Sequence, residues 1–381
     1  MVQETTLDIS SEYKKASERL IEAAEKLKLA KTRSEVTRKS NAYTQSSIRL
    51  FGLPDVSLAT RLFGLQRARF ESTNLDDALY ANLNMYFRKY NATSVNNEIV
   101  SDNLIKVAGL VKEYLDYKYG FVLKKAEGIA PLWLKPQDVF RGYEMLLEDI
   151  QSNFAGEWNR WKVKIEKTSS AISVNAQDRL IKVGLGRAAM HKKEFTGNVA
   201  HELLGHVVRS VNGASISEEC RVGLPNYLVF EEGLSMLKEF SVCGYLPDRI
   251  VDRYVDVALA LGIIDGVQKP RAEILEFVYS RELVRNSLLP ASEKMTTEDL
   301  AKKVIAHTNR VFRGVNGQKH VGIYTKDIVY LSGFIKASSY IEKKLAKGLS
   351  IEQIMDFVDC AKFDPTLPSH LKKVEALTRY S

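Results

Sequence analysis

Between Ser11 and about Arg33 the apolar residues Ala16, Leu20, Ala23 and Leu27 recur three or four apart among charges, the period of an amphipathic helix. A polar segment, Thr32 to Ser47, follows, and then "IRLFGLPD" (48–55), a short apolar run ended by Gly52 and Pro54. Helical spacing returns near 56–70, 75–90 and 101–118. In "LKPQDVF" Pro136 suits the first turn of a further helix, and Gly156 is placed to end it. The period then changes. "WKVKIEK" (161–167), "AISVNA" (171–176) and "RLIKVGL" (179–185) alternate every second residue and carry β-branched side chains, which predicts three neighbouring strands arranged as a meander. From there helical spacing continues over 193–211, closed by Gly213, and over 226–240, 247–261, 270–284, 297–312, 326–346 and 350–362. Ser350 with Gln353 forms a capping box at the last of these. No internal repeat and no low-complexity tract interrupts the pattern. The expected fold class is α+β, predominantly helical, with one small sheet directly ahead of the helix that begins near 193. The expected division is an N-terminal helical arm (1–45), a helical subdomain (46–155) and a domain carrying the chemistry (156–381), with 46–381 packed as one compact unit.

Composition narrows the class. The chain has 381 residues, 45% of them apolar, enough for one large or two ordinary cores. It has no stretch near 18 apolar residues and no basic-then-apolar start, so neither a membrane span nor a secretory signal is expected, and a cytoplasmic location is. Cys220, Cys243 and Cys360 show no Cys-x-x-Cys spacing, which leaves histidines and carboxylates to build any metal site. The formal charge of +8 is spread over many helices among acidic residues, the pattern of a solvated surface rather than a nucleic-acid face.

The segment "HELLGHVVRS" (201–210) carries the candidate chemistry. Zinc at a catalytic site takes three protein donors and keeps one position open, and His201 and His206 offer two imidazoles. Glu202, beside the first, suits a general base that accepts a proton during attack and returns it to the leaving amine. The spacing poses a difficulty: residues five apart on a regular helix point about 140° away from each other, against about 40° for four apart. A π-turn that absorbs one residue would bring both imidazoles to one face, and Gly205 lowers its steric cost. The helix is therefore expected to depart from α-helical bonding between Val199 and Val208. "VFEEGLSML" (229–237) offers the third donor: Glu232 shares a face with Ser235 and Met236 and is assigned as ligand, with Glu231 as the alternative. A carboxylate on the far nitrogen of each imidazole is expected from Glu231, Glu239 or Asp327.

His201-Glu202-Leu203-Leu204-Gly205-His206, with Arg209, "VNG" (211–213) and "FEEGLSML" (230–237), resembles the microtubule-associated tyrosine carboxypeptidase family, grouped with bacterial proteins that carry a Gln-Glu-Gly-Leu-Ala motif. "RVFRGVNG" (310–317), "YTKDIVYLSG" (324–333) and "IRLFGLPD" (48–55) are similar to further segments of that family. The resemblance spans about 48–340. It implies a gluzincin-like metallopeptidase fold, His201, His206 and Glu232 as Zn2+ ligands, Glu202 as the catalytic glutamate, and removal of C-terminal Tyr or Phe from a peptide or protein. This chain departs from the pattern in Glu231 for Gln, in Ser235 for Ala, and in a short stretch between His206 and Glu232.

A carboxypeptidase holds its substrate's carboxylate with a guanidinium or ammonium. Arg209, Arg221, Arg313 and Lys326 are the candidates, with Arg313 and Lys326 favoured by their family-like segments. Tyr330, one turn after Lys326, is a candidate donor to the polarised carbonyl. His191, His307, His320 and His370 are expected at the surface. Trp133, Trp158 and Trp161 are expected to pack, and the strand near 179–185 to offer an edge to an extended peptide. A non-catalytic scaffolding protein that keeps the metallopeptidase fold is the competing reading.

Overall fold

A computed structural model describes residues 18–19, 22–23, 33–73, 77–90, 92–93, 101–169, 171–187, 189–291, 293–312 and 322–378. Most of the expected N-terminal helix lies outside the described residues, although Glu18, Arg19, Glu22 and Ala23 are helical. The fold is α+β and mostly helical, and the chain divides into two compact units. One comprises 1–99 and 247–331, the other 100–246 and 332–381.

The first unit contains α1 (Arg33–Phe51), α2 (Val56–Glu71), α3 (Asp77–Lys89), α10 (Asp248–Leu261), α11 (Arg271–Leu288) and α12 (Thr297–Val311). The polar segment before Ser47 is helical, and its buried residues explain its composition. Ser40, Thr44 and Ser47 are buried, and the backbone N–H groups of Ile323 and Thr325 donate to Thr44 Oγ1 and Ser47 Oγ at 2.9 and 2.8 Å. This helix buries hydroxyls because the segment it covers is not in a sheet and offers unpaired amides. Asp55 caps α2, its Oδ1 accepting from Leu58 N at 2.7 Å. Phe63, Phe87 and Phe277, from α2, α3 and α11, meet with ring centroids 5.2 to 6.2 Å apart and centre the apolar core.

The second unit opens with α4 (Asp102–Gly128), longer than the apolar period suggested and kinked at Tyr119. α5 (Pro136–Asn153) has Pro136 in its first turn as expected, but ends before Gly156, whose φ of +82° instead opens a 3-10 turn. β1 (Trp133–Leu134) pairs with β5 (Met190–His191). The three expected strands form as β2 (Lys162–Glu166), β3 (Ile172–Asn175) and β4 (Leu180–Gly184), yet not as a meander. Their order is β2-β4-β3: β4 runs parallel to β2, with Lys162 opposite Leu180, and antiparallel to β3, with Ile172 opposite Val183. Burial decides the order. Ile181 and Val183 of β4 are fully buried, whereas no residue of β2 or β3 is, so the most apolar strand takes the centre. The strand expected to offer a free edge is therefore the one strand of this sheet without an edge.

Beyond the sheet, α6 (Lys192–His201), a π-turn (Glu202–Val207) and α7 (Val208–Ala214) form one continuous rod. Gly213 lies inside α7 rather than closing it, and glycine is needed there because a Cβ would meet the Cys220 carbonyl oxygen at 2.3 Å. α8 (Glu218–Val222), α9 (Leu228–Cys243), the greater part of α13 (Ile328–Leu345), α14 (Ile351–Asp359) and α15 (Pro368–Thr378) complete the unit. Ser350 and Gln353 cap α14 reciprocally, as expected.

α9 and α13 cross at two glycines. A Cβ on Gly233 would lie 1.9 Å from the Gly333 carbonyl carbon, backbone against backbone, so neither position tolerates a side chain without parting the helices. Gly233→Ala should destabilise by more than the roughly 1–3 kcal/mol of ordinary overpacking, measured by denaturant unfolding. Gly109→Ala on exposed α4, where a Cβ meets nothing within 4 Å, should stabilise by about 0.5–1 kcal/mol.

Candidate metal centre

The His201 segment departs from α-helical geometry where the spacing requires. Glu202–Val207 is a π-turn, and the Val208 N–H donates to the Leu203 carbonyl, five residues back. The extra residue is absorbed, and the rings of His201 and His206 come to 5.1 Å between centroids, inclined at 74°.

Gly205 has a second role that the sequence did not reveal. A Cβ there would sit 2.4 Å from Ser235 Oγ and 2.9 Å from Ser235 Cβ. Its absence lets α9 close on the π-turn and brings Glu232 over both rings. Glu232 Oε2 lies 3.6 Å from His201 Nε2 and 3.5 Å from His206 Nε2. One donor atom from each of the three buried residues falls within 4.8 Å of the others, a set that could hold a metal ion. Glu231, the alternative ligand, points elsewhere.

The far nitrogens decide which tautomer each imidazole takes when it is neutral. Nδ1 of His201 donates to Glu239 Oε2 at 3.1 Å, and Nδ1 of His206 donates to Glu231 Oε1 at 2.9 Å. An ionised carboxylate only accepts, so Nδ1 keeps its proton and Nε2, once its own proton is displaced, can present its lone pair to a cation. Of the three carboxylates considered for this role, Asp327 is the one not used; it pairs with Arg310.

Burying so many carboxylates requires compensation. Arg209, completely buried, donates Nη1 to Glu231 Oε2, Nε to the Val358 carbonyl at 2.9 Å and Nη2 to the Phe363 carbonyl at 2.6 Å. Lys362 Nζ adds a contact to Glu231 Oε1 at 3.0 Å. Burial alone would raise the Glu231 pKa, but Arg209 and Lys362 hold it well below the usual carboxylate range. Lys238, also fully buried, donates to the Leu204 carbonyl in the π-turn at 2.7 Å and to Asp359 at 2.7 and 2.8 Å. Sequence reading missed Lys238 and Lys362. Lys238 carried a signal, a cation directly after Met236 and Leu237 in a largely apolar helix.

Burial pushes the His201 imidazole down, yet the carboxylates of Glu232 and Glu239 outweigh it and raise its pKa to about 10. His206 is raised in the same way by Glu231 and Glu232. Glu202 is buried beside both. Burial raises its pKa, with His201 and His206 opposing in part.

Other expectations change. Arg209 cannot receive a substrate carboxylate because Glu231 occupies it, and Arg221 is buried on Glu218 and the Ala176 carbonyl. Lys326 and Tyr330 are half-buried in the first unit, and Arg313 and His320 lie outside the described residues. His370 is buried, accepting from Asp364 N at 2.9 Å with Nε2 2.8 Å from the Pro225 carbonyl, and His307 contacts Asp256 at 2.6 Å. Trp158 and Trp161 pack, whereas Trp133 is half exposed.

A divalent ion bound here must displace protons from imidazoles whose pKa values are raised in the metal-free protein. Apparent affinity should therefore fall as pH falls, by about tenfold per pH unit for each proton displaced, in a competition titration against a chromogenic chelator. Glu232→Ala should abolish binding. Gly205→Ala should weaken it and destabilise the fold by about 1–3 kcal/mol.

Comparison with curated proteins and with solved structures returned no match. Among the described helices none is long and apolar enough to cross a membrane. Residues 295–361 match the profile of the microtubule-associated tyrosine carboxypeptidase family, the family that the motifs around His201, Glu232 and Tyr330 resemble.

Proposed function

We propose that this protein is a zinc-dependent peptidase, a carboxypeptidase that removes C-terminal residues of the Tyr or Phe type from a peptide or protein in the cytoplasm. The observation that carries the reading is the convergence of His201, His206 and Glu232 with both Nδ1 atoms held by carboxylates. Two imidazole nitrogens and one carboxylate oxygen are the donor set of catalytic zinc sites, with a position left for water or substrate. The family match adds peptide C-terminus chemistry, and it covers 295–361 rather than the metal-binding residues. A gluzincin-like arrangement is part of this proposal.

Zinc so held would supply Lewis-acid polarisation of a carbonyl and a nucleophilic water at neutral pH. The chain's own part is proton handling and orientation. Glu202, next to the first imidazole and buried, takes the proton from the attacking water and passes it to the leaving amine. Glu231 and Glu239 keep the two rings in one tautomer and one orientation throughout. β3 packs against the π-turn and is an edge strand of its sheet, which suits an extended peptide better than β4 does. The roles proposed for Arg313 and Lys326 toward the substrate carboxylate, and for Tyr330 toward the carbonyl, rest on their sequence segments.

The purified protein should contain about one zinc per chain and cleave a peptide ending in Tyr, with loss on chelation and recovery on adding zinc. Glu202→Gln should keep the metal and lower kcat by about 10²–10⁴-fold. A variant that cleaved at the parental rate would remove Glu202 from the mechanism, and a zinc-free protein that cleaved would remove the metal.

A further inference from the structure

From Phe195 to Val211 the rod that carries the two imidazoles is buried at every residue but one, Asn198. The Glu202 N–H donates to the Asn198 carbonyl, so the turn joining them is α-helical. On such a turn Asn198 points between His201 and Glu202, about 60° from the first and about 40° from the second. The three metal donors reach solvent narrowly, with side-chain exposures of 8% for His201, 10% for His206 and 9% for Glu232. Asn198 thus borders their opening. Its amide is held from the buried side by Tyr143 of α5, which comes close because residue 142 is glycine: a Cβ there would meet the Phe195 ring at 2.8 Å. Tyr143 is completely buried, and its hydroxyl lies 2.9 Å from Asn198 Oδ1, its one hydrogen-bond partner among the described residues. A buried phenol must place its proton, so Tyr143 donates and Oδ1 accepts. Burial, then Glu202, with Glu239 adding and Arg187 opposing, holds the phenol well above its ordinary pKa, so this proton stays in place. The two N–H groups of Asn198 Nδ2 are left on the open side, without a partner among the described residues.

We propose that Asn198 donates from Nδ2 to a main-chain carbonyl of the bound peptide, with Tyr143 as the positioning residue that keeps the amide from turning over. The inference rests on the peptidase reading and adds to it the residue that grips the peptide backbone. A neutral donor suits this place: Glu202, Glu231, Glu232 and Glu239 are buried in the same region, and a carbonyl brings no further negative charge among them. Turning the amide over would set Oδ1 against the peptide carbonyl, acceptor to acceptor. It would also leave the buried Tyr143 proton without a partner. The contact reads backbone and not side chain, so it holds peptides ending in Tyr and in Phe alike.

The test uses the full-length protein with Glu202→Gln, loaded with zinc, so that N-acetyl-Gly-Gly-Tyr and N-acetyl-Gly-Gly-Phe bind without being cleaved, and reads each Kd by calorimetry. Adding Asn198→Leu should weaken both peptides by about five- to tenfold and leave zinc affinity, read by chelator competition, unchanged. Tyr143→Phe should weaken both by about two- to threefold, and should add nothing once Asn198→Leu is present. The proposal is overturned if Asn198→Leu changes neither Kd by more than about twofold, or if zinc affinity falls by the same factor as peptide affinity. It is also overturned if the loss is confined to the peptide ending in Tyr, which would make the phenol the ligand, or if Tyr143→Phe costs the same factor with and without Asn198→Leu. Should Asn198→Leu fail to fold, the double variant, which removes both partners of the hydrogen bond together, carries the same test. Failure of the peptidase reading shows differently. If the parent binds both peptides and leaves them uncleaved while Asn198→Leu weakens them, the contact stands and the hydrolase falls. If neither peptide binds, both fall.

Discussion

The candidate metal centre depends on one extra residue in a helix. A regular helix would turn His206 about 140° from His201, and no side-chain rotation would return both imidazoles to one cation. The π-turn at Glu202–Val207 removes that angle, and its neighbours are arranged around it. Lys238 partners the Leu204 carbonyl within the turn, and Ser235 fills the space that a Cβ on Gly205 would take. The distortion, the glycine and the buried lysine are thus parts of one device that sets Glu232 against both rings.

The second constraint is electrostatic. Glu202, Glu231, Glu232 and Glu239 are buried around two imidazoles, and isolated buried carboxylates are costly. The chain meets this locally: Arg209 and Lys362 neutralise Glu231, and Glu231 orients His206. Glu202 has neither arginine nor lysine among the main influences on its carboxyl, only the two imidazoles in its favour. That difference separates a carboxylate fixed as ionised from one that can exchange a proton, although both sit in the same low-dielectric surroundings.

Much of this was readable in advance, because the relevant signals are local. The helices from Val56 onward follow apolar period, capping boxes follow from side chains three residues apart, and the π-turn follows from counting residues between two histidines. Where reading failed, the deciding contact lay far along the chain. The three strands were found but misordered, since β4 becomes central through the burial of Ile181 and Val183 rather than through turn chemistry. Arg209 and Arg221 looked like free cations because Glu231 and the Ala176 carbonyl, which hold them, are 22 and 45 residues away. The polar α1 gave no apolar stripe, since its buried face serves amides near residue 323.

By itself the sequence determined the helical class, the three candidate metal donors and the necessity of a break in the helix that carries two of them. Those follow from periodicity, donor chemistry and the geometry of a single helix. Only tertiary structure decided that Glu239 and Glu231 divide the two imidazoles between them and that Asp327 belongs to Arg310. Charge pairing inside a protein is a matter of which few side chains share a space without water. That is settled by how helices distant in sequence pack, and no local pattern records it.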